Sequence, residues 1–347
     1  MSGFTYDSPA GRINKIKGEI LAHAVGAEVL GITGMQRQLP RNQGQTVVYR
    51  RYLPFGATAV DFNTQNRPKA DPLAHMLTEG VTPSPDSLVP VDVTTRIRQY
   101  GCLYQLTDQT ADTYEDDVPA EMKKHCGERI ALVREMIRYG VLKACTNVHY
   151  AGGSSRAAVA AKITLAMLRR VSRNLQANHA DRITSILAPS ANIKTSPVEA
   201  SYLVFVHTDA ESDVRDIAGF VPVAQYGVRK VVSPYEIGTV ENFRFVTSPE
   251  LASYQNAGAA VGATGLFSTG GSNVDVYPFI VTGEDAWGQV ALRGGDALDP
   301  TYIPPGTKDK SDPLGQRGYI GAKFYMSSVL LNEGWMAVVE AGVSSLA

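Results

Sequence analysis

The sequence predicts an α+β protein, in which strands and helices follow one another without the regular alternation of a parallel α/β sheet. Two β-rich segments, residues 45–53 and 91–100, predict a hairpin, and an apolar stripe over residues 119–147 predicts one long helix. Short apolar segments between loops predict further strands in the C-terminal half. The 347 residues exceed the size at which one hydrophobic core usually keeps growing, so we expect two lobes.

Composition limits the classes of function to be considered. The 33 Lys and Arg residues balance 34 Asp and Glu residues, giving a formal net charge of −1, so no basic excess favours direct nucleic-acid binding. No apolar segment has the length of a membrane span, and the N-terminus lacks the apolar core of a signal peptide. The three cysteines form no even disulfide framework, which favours a reduced setting. Cys126 and Cys145 lie about five helical turns apart and are interpreted as small core residues.

The N-terminal region and the hairpin come first in the chain. Residues 1–12 are expected to form an extended arm, residues 13–32 an amphipathic helix and residues 36–45 a linker. The stretch between the two hairpin strands contains six prolines, and a structureless loop of that length is unusual inside a compact domain. A projecting two-stranded hairpin is marginal in water and needs a surface to lie on. If the hairpin projects from its own domain, that surface belongs to another subunit.

Alternation in the second hairpin strand assigns its side chains to two faces. One face is expected to carry Val91, Val93, Thr95, Ile97 and Gln99. The other face is expected to carry Asp92, Thr94, Arg96, Arg98 and Tyr100.

The long helix is predicted from apolar positions whose steps of three and four residues mark a stripe on a 3.6-residue period. At 1.5 Å per residue, such a helix is about 40 Å long. Asp116 and Asp117 favour the positive end of the helix dipole, and Pro119 suits the first turn. The stripe comprises Met122, Cys126, Ile130, Val133, Ile137, Val141 and Ala144. The polar side carries Lys124, Glu128, Glu135 and Lys143. We expect Ile130, Val133 and Ile137 to face a core.

The C-terminal half is predicted to mix strands and shorter helices. A helix over residues 164–177 has Thr164 as its N-cap and buries Leu165, Leu168, Val171 and Leu175. A buried strand over 201–206 leads into a capping-box pattern, Thr208 to Glu211, and a helix to about residue 217. Further strands are expected at residues 243–247, 274–282, 289–292, 319–330 and 335–340.

A search for catalytic, cofactor and metal sites predicts none. The glycine-rich segment 258–265 lacks the Lys-Ser/Thr pair of a P-loop, and we interpret it as a surface loop. Four acids, Asp209, Glu211, Asp213 and Asp216, could suggest a metal site, but the helix dipole and cap explain them better. The six histidines include no pair at metal-ligand spacing, and no Ser or Cys has a recognisable nucleophile context. The sequence therefore predicts a protein that is not an enzyme.

An ordered set of short segments carries a resemblance to a known family. These segments are residues 77–83 (LTEGVTP), 98–101 (RQYG), 107–109 (TDQ), 207–209 (HTD), 213–215 (DVR), 236–238 (EIG), 243–246 (FRFV), 275–278 (DVYP), 283–288 (GEDAWG) and 311–318 (SDPLGQRG). Together with the long helix they resemble the major capsid (coat) proteins of tailed double-stranded DNA bacteriophages, in particular the podovirus-like branch with a long E-loop. The likeness runs from about residue 13 to residue 342.

The resemblance implies a fold of four parts. These are an N-terminal arm (1–44), an E-loop hairpin (45–105), a peripheral domain with a long spine helix (106–153 and 313–347) and an axial domain (154–312). It implies a structural protein that self-assembles as hexamers and pentamers into the icosahedral shell enclosing the packaged phage genome. Its location would be the virion capsid, assembled in the host bacterial cytoplasm.

The resemblance also implies partners. The chain itself is the main one, and a portal and a cement protein are further candidates. Some relatives begin with a long scaffolding segment that a protease later removes, whereas this chain reaches the arm almost at once. Either scaffolding is a separate protein or the chain is already processed, and the initial Met1 favours a separate scaffolding protein. The near-neutral charge suits a wall that encloses double-stranded DNA without sequence-specific binding, and no membrane partner is expected. Two alternatives stay open: another virion structural component, cement or portal-associated, and an α+β enzyme.

Charged residues of the hairpin and long helix are the candidate inter-subunit contacts. Four arginines, Arg50, Arg51, Arg96 and Arg98, repel one another unless carboxylates face them, and Asp92 can pair with only part of this charge. Glu79 at the hairpin tip belongs to the same candidate set. A neighbouring subunit could supply Glu128 and Glu135 from the polar side of its long helix. The alternative is that water and salt screen the arginines.

Overall fold

The computed structural model describes most of the chain beyond residue 27. The described residues are 28–40, 42, 44–52, 72–73, 75–83, 85, 88–113, 117–188, 194–227, 229–262, 264–292 and 299–346. The predicted arm (1–12) and most of the predicted helix over 13–32 lie outside these ranges. At the end of that helix, Leu30–Ile32 forms a single turn of 3₁₀ helix.

Fifteen strands are described, and they account for most of the regular structure. They are β1 Met35–Leu39, β2 Thr46–Tyr52, β3 Pro90–Arg96, β4 Arg98–Thr107, β5 Val148–Tyr150, β6 Ile183–Ala188, β7 Lys194–His207, β8 Phe220–Pro222, β9 Glu236–Val240, β10 Phe243–Ser248, β11 Tyr277–Thr282, β12 Trp287–Leu292, β13 Asp299–Ile303, β14 Arg317–Leu330 and β15 Met336–Ala341. The strands predicted in the C-terminal half are present, with ends that differ by at most three residues, except that β7 begins seven residues before the predicted strand over 201–206.

The described α-helices are fewer. They are α1 Asp108–Thr113, α2 Val118–Leu142, α3 Leu165–Ala177 and α4 Glu211–Arg215. Short 3₁₀ turns lie at Leu30–Ile32, Arg156–Ala158, Thr208–Ala210, Val223–Gln225 and Glu333–Trp335. Sheets with few helices, in no regular alternation, confirm the predicted α+β class.

The larger sheet has eight strands in the order β5-β15-β11-β7-β10-β9-β8, with β6 paired to β7. Its central strands β10, β11 and β15 are buried along their whole length. Helix α3 packs on this sheet through Leu168, Val171 and Leu175, as its periodicity predicts. Thr164 caps α3 by accepting a hydrogen bond from the backbone N–H of Met167.

The smaller sheet has five strands: β1-β12-β14-β13, with β4 along the other side of β14. The long helix α2 lies against β14 and β4. Fully buried Cys126 and Ile130 of α2 meet Ala322, Phe324 and Met326 of β14. Val133 and Ile137 are half-buried in the same cluster, so the stripe faces a core as expected.

Helix α2 is shorter than the predicted 119–147. Asp117 is its N-cap and accepts a hydrogen bond from the Ala120 N–H, and Pro119 stands in the first turn. The helix ends at Leu142, five residues early, because Asn147 is committed to the larger sheet: its Nδ2 donates to the Met336 carbonyl. Ala144, predicted in the stripe, is exposed.

The hairpin is present as a separate two-stranded antiparallel sheet of β2 and β3. Val91, Val93 and Thr95 alternate on its inner face, as predicted. Gln99 was expected on that face and is exposed, because the chain passes from one sheet to the other at Ile97 and the phase of alternation inverts. Tyr100 takes the inward position instead, against α2 and β14.

The base of the hairpin rests on its own chain. Val47 and Tyr49 of β2 and Ile97 are buried in a cluster with Leu39 and Val290 of the smaller sheet. The surface that the hairpin needs is therefore supplied at its base by its own chain, and another subunit remains the expected support only for the part that projects.

The predicted capping box at residues 208–211 is also wrong. Thr208 begins a 3₁₀ turn, and the side chain of His207 accepts the capping hydrogen bond, from the Asp209 N–H. The α-helical part, α4, covers only Glu211–Arg215 and ends before the predicted residue 217.

Strand membership differs from the predicted division of the chain. β15 was grouped with the long helix, yet it lies in the larger sheet between β5 and β11. β12 and β13 were grouped with the axial part, yet they lie in the smaller sheet beside β14. Each of the two sheets therefore contains strands from both predicted parts of the chain.

The contact between α2 and β14 can be tested with two substitutions on one helix. Ile130→Ala removes a side chain that is 1% exposed and should destabilise the protein by about 2–5 kcal/mol. Lys124→Ala changes an exposed residue of the same helix and should stay within about 0.5 kcal/mol. Urea unfolding followed by circular dichroism measures both. Equal stabilities would show that this part of the helix does not face a core.

Candidate assembly interface

Arg50 forms its ion pair inside the hairpin. It lies opposite Asp92 in the β2–β3 register, and its Nε and Nη2 atoms donate to Oδ1 and Oδ2 at 2.7 and 2.8 Å. The hydrogen bonds from Arg50 lower the pKa of the exposed Asp92 carboxyl below its usual value. Asp92, which shares a face with Arg96, is thus occupied by Arg50.

The other three arginines have different surroundings. Arg96 donates from Nε and Nη2 to Oε1 of Gln45 at 2.9 and 2.6 Å. Arg51 is half-buried, and burial lowers its pKa. Arg98 starts β4 and is exposed. Among the described residues, no carboxylate forms an ion pair with Arg96 or Arg98.

Several large apolar side chains of residues 76–88, in the stretch between the two hairpin strands, are exposed. Glu79 lies among them and is itself exposed. Met76, Leu77, Val81 and Leu88 are 64–76% exposed, although such side chains are normally removed from water. Clustered exposed apolar groups mark interaction surfaces. The sequence analysis used the prolines of this stretch and did not predict these exposed apolar residues. The available signal was that large apolar residues outnumber charged residues here.

The two helix glutamates proposed as contacts lie in opposite environments. Glu128 is exposed, with Oε2 at 3.4 Å from Nδ1 of His125. Glu135 is fully buried, so its predicted place on the polar side of the helix is wrong. Its Oε1 accepts hydrogen bonds from the N–H groups of Val29 and Leu30 at 3.1 and 2.8 Å. Glu135 therefore cannot meet a neighbouring subunit.

Glu135 belongs to a buried cluster of charges that the sequence analysis missed. Nη1 of Arg138 lies 2.7 Å from Oε2 of Glu28 and 3.4 Å from Oε2 of Glu135. Nε of Arg138 donates to Oε1 of Gln289 at 3.0 Å, and Nη1 of Arg134 lies 2.9 Å from Oε1 of Glu28. The cluster joins residues 28–30, α2 and β12. The available signal was the spacing of Glu135, Arg138 and Leu142 on one side of a helix.

Burial dominates the electrostatics of this cluster. It raises the pKa of the Glu135 carboxyl above its usual value, against the opposing charge of Arg138 and the hydrogen bonds from Leu30 and Val29. It also lowers the pKa of Arg134, against the charge of Glu28. Buried charges of this kind are tolerated only when paired and hydrogen-bonded.

Two of the four acids that could suggest a metal site, Asp209 and Asp213, have structural hydrogen-bond partners. Buried Asp213 accepts from Nζ of Lys162 and from the N–H and hydroxyl of Ser344. Asp209 accepts from the hydroxyl of Tyr277 at 2.8 Å. Within the described ranges, no group of three or more His, Cys, Asp and Glu is arranged to hold a metal ion.

The glycine-rich segment 258–265 belongs to a loop organised by a buried carboxylate. Asp275 is fully buried and accepts hydrogen bonds from the N–H groups of Asn256 and Thr269 at 2.8 and 3.1 Å. These hydrogen bonds therefore hold the loop to Asp275, just before β11.

In the part of the chain that the structure describes, no helix has the length and apolar character needed to cross a membrane.

Comparison with known proteins places this fold. No protein-family model matches the sequence. A curated relative, the "Major capsid protein" of Pseudomonas phage KPP21, is 22% identical over 265 residues. The match covers 71% of this chain and 66% of that relative, just under two thirds of its length.

Solved structures match over nearly the whole chain. The capsid of Ralstonia phage GP4 has a TM-score of 0.63 at 12% identity, covering 90% of this chain and 88% of that one. The head structure of Helicobacter pylori bacteriophage KHP40 has a TM-score of 0.60 at 10% identity, covering 92% and 91%. The cyanophage Pam1 capsid has a TM-score of 0.55 at 12% identity, covering 94% and 93%. The chain has the fold of tailed-phage capsid proteins, and the predicted resemblance to phage major capsid proteins is confirmed, whereas membership of the podovirus-like branch with a long E-loop stays a prediction.

The buried cluster predicts a contrast between the two glutamates of one helix. Glu135→Ala leaves the Val29 and Leu30 N–H groups without their acceptor and removes a partner of Arg138. It should destabilise the protein by about 2–4 kcal/mol. Glu128→Ala, the matched change at an exposed site, should stay within about 0.5 kcal/mol. Thermal or urea unfolding of both variants is the measurement, and a Glu135→Ala protein as stable as wild type would contradict the described cluster.

Proposed function

We propose that this chain is a major capsid protein, which self-assembles as hexamers and pentamers into the icosahedral shell enclosing the double-stranded DNA genome of a tailed phage. The observation that carries the proposal is the match of nearly the whole chain to phage capsid structures. The curated relative named as a major capsid protein supports it independently, from sequence.

The hairpin is the part that we propose to work in assembly. Its base is held by its own chain through Val47 and Tyr49, whereas its tip exposes Met76, Leu77 and Val81. Covering an apolar side chain is worth about 25 cal/mol per Å² removed from water. In a shell, each subunit both offers this tip and provides a surface to its neighbour, so the same contact repeats in every subunit.

Charge is proposed to guide how the hairpin docks. Arg50 is paired with Asp92 in its own hairpin, and the candidate contacts are the exposed Arg96 and Arg98, with Glu79 at the tip. Glu128 on the exposed side of a neighbouring α2 is the proposed partner of Arg98, and Glu135 is removed from the set because it is buried. Complementary charges at interfaces chiefly set register and exclude wrong partners.

Several finer features belong to the same proposal. The ranges 1–44, 45–105, 106–153 with 313–347, and 154–312 would be the arm, E-loop, peripheral and axial parts. We propose membership of the podovirus-like branch with a long E-loop, and assembly in the host bacterial cytoplasm. A separate scaffolding protein, a portal and a cement protein are the proposed partners.

The enclosed DNA is proposed to contact the shell without sequence-specific binding. A formal net charge of −1 on 347 residues gives little of the phosphate attraction on which nucleic-acid binding proteins depend.

Self-assembly and the role of the hairpin can be tested together. The full chain, co-expressed with its scaffolding partner where one is needed, should form particles of very large mass in size-exclusion chromatography and shells by negative-stain microscopy. Replacing residues 58–88 with a short turn removes the tip and keeps β2 and β3. This variant should stay folded by circular dichroism and fail to form stable shells. Normal shells from the deletion variant would exclude the proposed role of the hairpin, and a wild-type chain that stays monomeric would contradict the proposed function.

The charge hypothesis has its own test. Arg96→Glu combined with Arg98→Glu should leave the subunit folded but block assembly, because both positions are exposed and would repel an acidic neighbour. Adding Glu128→Arg should partly restore shells. A charge-matched control is Arg170→Glu combined with Arg173→Glu on the exposed side of α3, which should assemble. Negative-stain particle counts compare the four proteins, and wild-type assembly by the hairpin variant would show that its arginines are merely solvated.

A further inference from the structure

Two cysteines that are 24 residues apart in the chain meet where α2 crosses the smaller sheet. Cys102 lies on β4, opposite Ala322 of β14, and Cys126 lies on the buried side of α2. Their Sγ atoms are 2.7 Å apart. Bonded sulfur atoms are about 2.05 Å apart, so a small side-chain movement brings the pair to bonding distance.

The third cysteine is in a different place. Cys145 is buried beyond the end of α2, and its Sγ donates to the Glu333 carbonyl at 3.9 Å. The Cys102–Cys126 pair is also not part of a metal site, since no group of three potential ligands exists among the described residues. The chain therefore has one close thiol pair and one separate thiol.

We propose that Cys102 and Cys126 form an oxidation site. A low-molecular-weight disulfide oxidises the two thiols, and the resulting Cys102–Cys126 disulfide joins α2 covalently to β4. The site goes beyond the proposed function and does not depend on it. It also differs from the interpretation of Cys126 as a core residue only, because the sequence does not show that Cys102 faces it.

The surroundings assign different roles to the two thiols. A hydrogen bond from Cys126 lowers the pKa of the half-buried Cys102, and the Ala322 N–H and the charge of Arg129 act in the same direction, while burial opposes them. The hydrogen bond to Cys102 and burial raise the pKa of Cys126. Because the thiolate is the nucleophile in disulfide exchange, Cys102 is the attacking group and Cys126 the resolving one.

The reaction is a balanced exchange. The Cys102 thiolate attacks one sulfur of oxidised glutathione, forms a mixed disulfide and releases one glutathione thiolate, which takes up a proton. Cys126 then loses its proton to solvent, attacks the Cys102 sulfur and releases the second glutathione. The two protein thiols lose two electrons and two protons, and the oxidant is reduced to two thiols.

The link would fasten two elements that meet through apolar contacts. β4 continues directly from β3 of the hairpin, and α2 packs on β14 through Ile130 and Phe324. A bond at Cys126 holds the first half of α2 to the strand that leads from the hairpin. Closing this loop also restricts the unfolded chain, which raises stability.

Thiol trapping of the full-length protein tests the site. The protein is equilibrated with oxidised glutathione, denatured and alkylated with iodoacetamide, and its proteolytic peptides are identified by mass spectrometry. The expected result is a peptide pair joined through Cys102 and Cys126, two hydrogen atoms lighter than the reduced pair, with Cys145 alkylated. The melting temperature should rise by about 3 °C or more on oxidation and return with dithiothreitol.

Matched variants separate this site from nonspecific oxidation. Cys145→Ser should keep both the joined peptides and the redox-dependent melting temperature. Cys102→Ser and Cys126→Ser should each lose both, and either one suffices if the other fails to fold. Alkylation of all three cysteines in the wild-type protein after exposure to oxidised glutathione would overturn the proposal, as would joined peptides that contain Cys145.

Discussion

A buried arginine holds together three distant parts of this molecule. The guanidinium of Arg138 contacts Glu28 before β1, Glu135 on its own helix and Gln289 on β12. An unpaired charge at this depth would be strongly destabilising, so each partner has to be in place when the domain closes. The cluster fixes the edge of the smaller sheet along which β1 pairs in parallel with β12, so it sets the place of β1 in the strand order. Gln289 adds to the connection by donating from Nε2 to the Thr33 carbonyl at 3.1 Å.

The long helix consequently has two different faces of attachment. Its first half packs by apolar contact, with Cys126 and Ile130 on β14. Its second half packs by charge and hydrogen bonds through Glu135 and Arg138, and Leu142 then enters the core behind the larger sheet. One helix thus bridges the two sheets of the molecule. Such an element fixes the two sheets relative to each other, which is compatible with the proposed role of a subunit that contacts several neighbours.

The hairpin shows the opposite physical situation. Its base is buried with Leu39 and Val290, and Arg50 pairs with Asp92 across its two strands. Its tip exposes Leu77 and Leu88. The hairpin is therefore packed on its own chain at the base and exposes apolar side chains in residues 76–88. This division between a self-supported base and uncovered apolar side chains is compatible with the proposed assembly role.

The sequence by itself determined the class, the long helix, the hairpin strands and the buried strands such as β7 and β10. Each of these depends on periodicity within a short window, which the amino-acid order carries directly. It also determined the N-cap at Thr164, since a cap is a local hydrogen bond. Asp117 was predicted only as an acid at the positive end of the helix dipole, and the structure shows that it is the N-cap of α2. Local patterns were misleading where a long-range contact intervened.

Only the tertiary structure decided the burial of Glu135. Its Oε1 atom accepts hydrogen bonds from two backbone N–H groups that are 105 and 106 residues away in the chain. It likewise decided that the strand phase inverts at Ile97, because the chain changes sheets there. The same holds for the meeting of Cys102 and Cys126, which requires α2 to cross β4. Periodicity tells which side of an element is apolar, but it does not tell which distant polar group will stand opposite it. That choice depends on packing between elements, and therefore it becomes visible only in the folded chain.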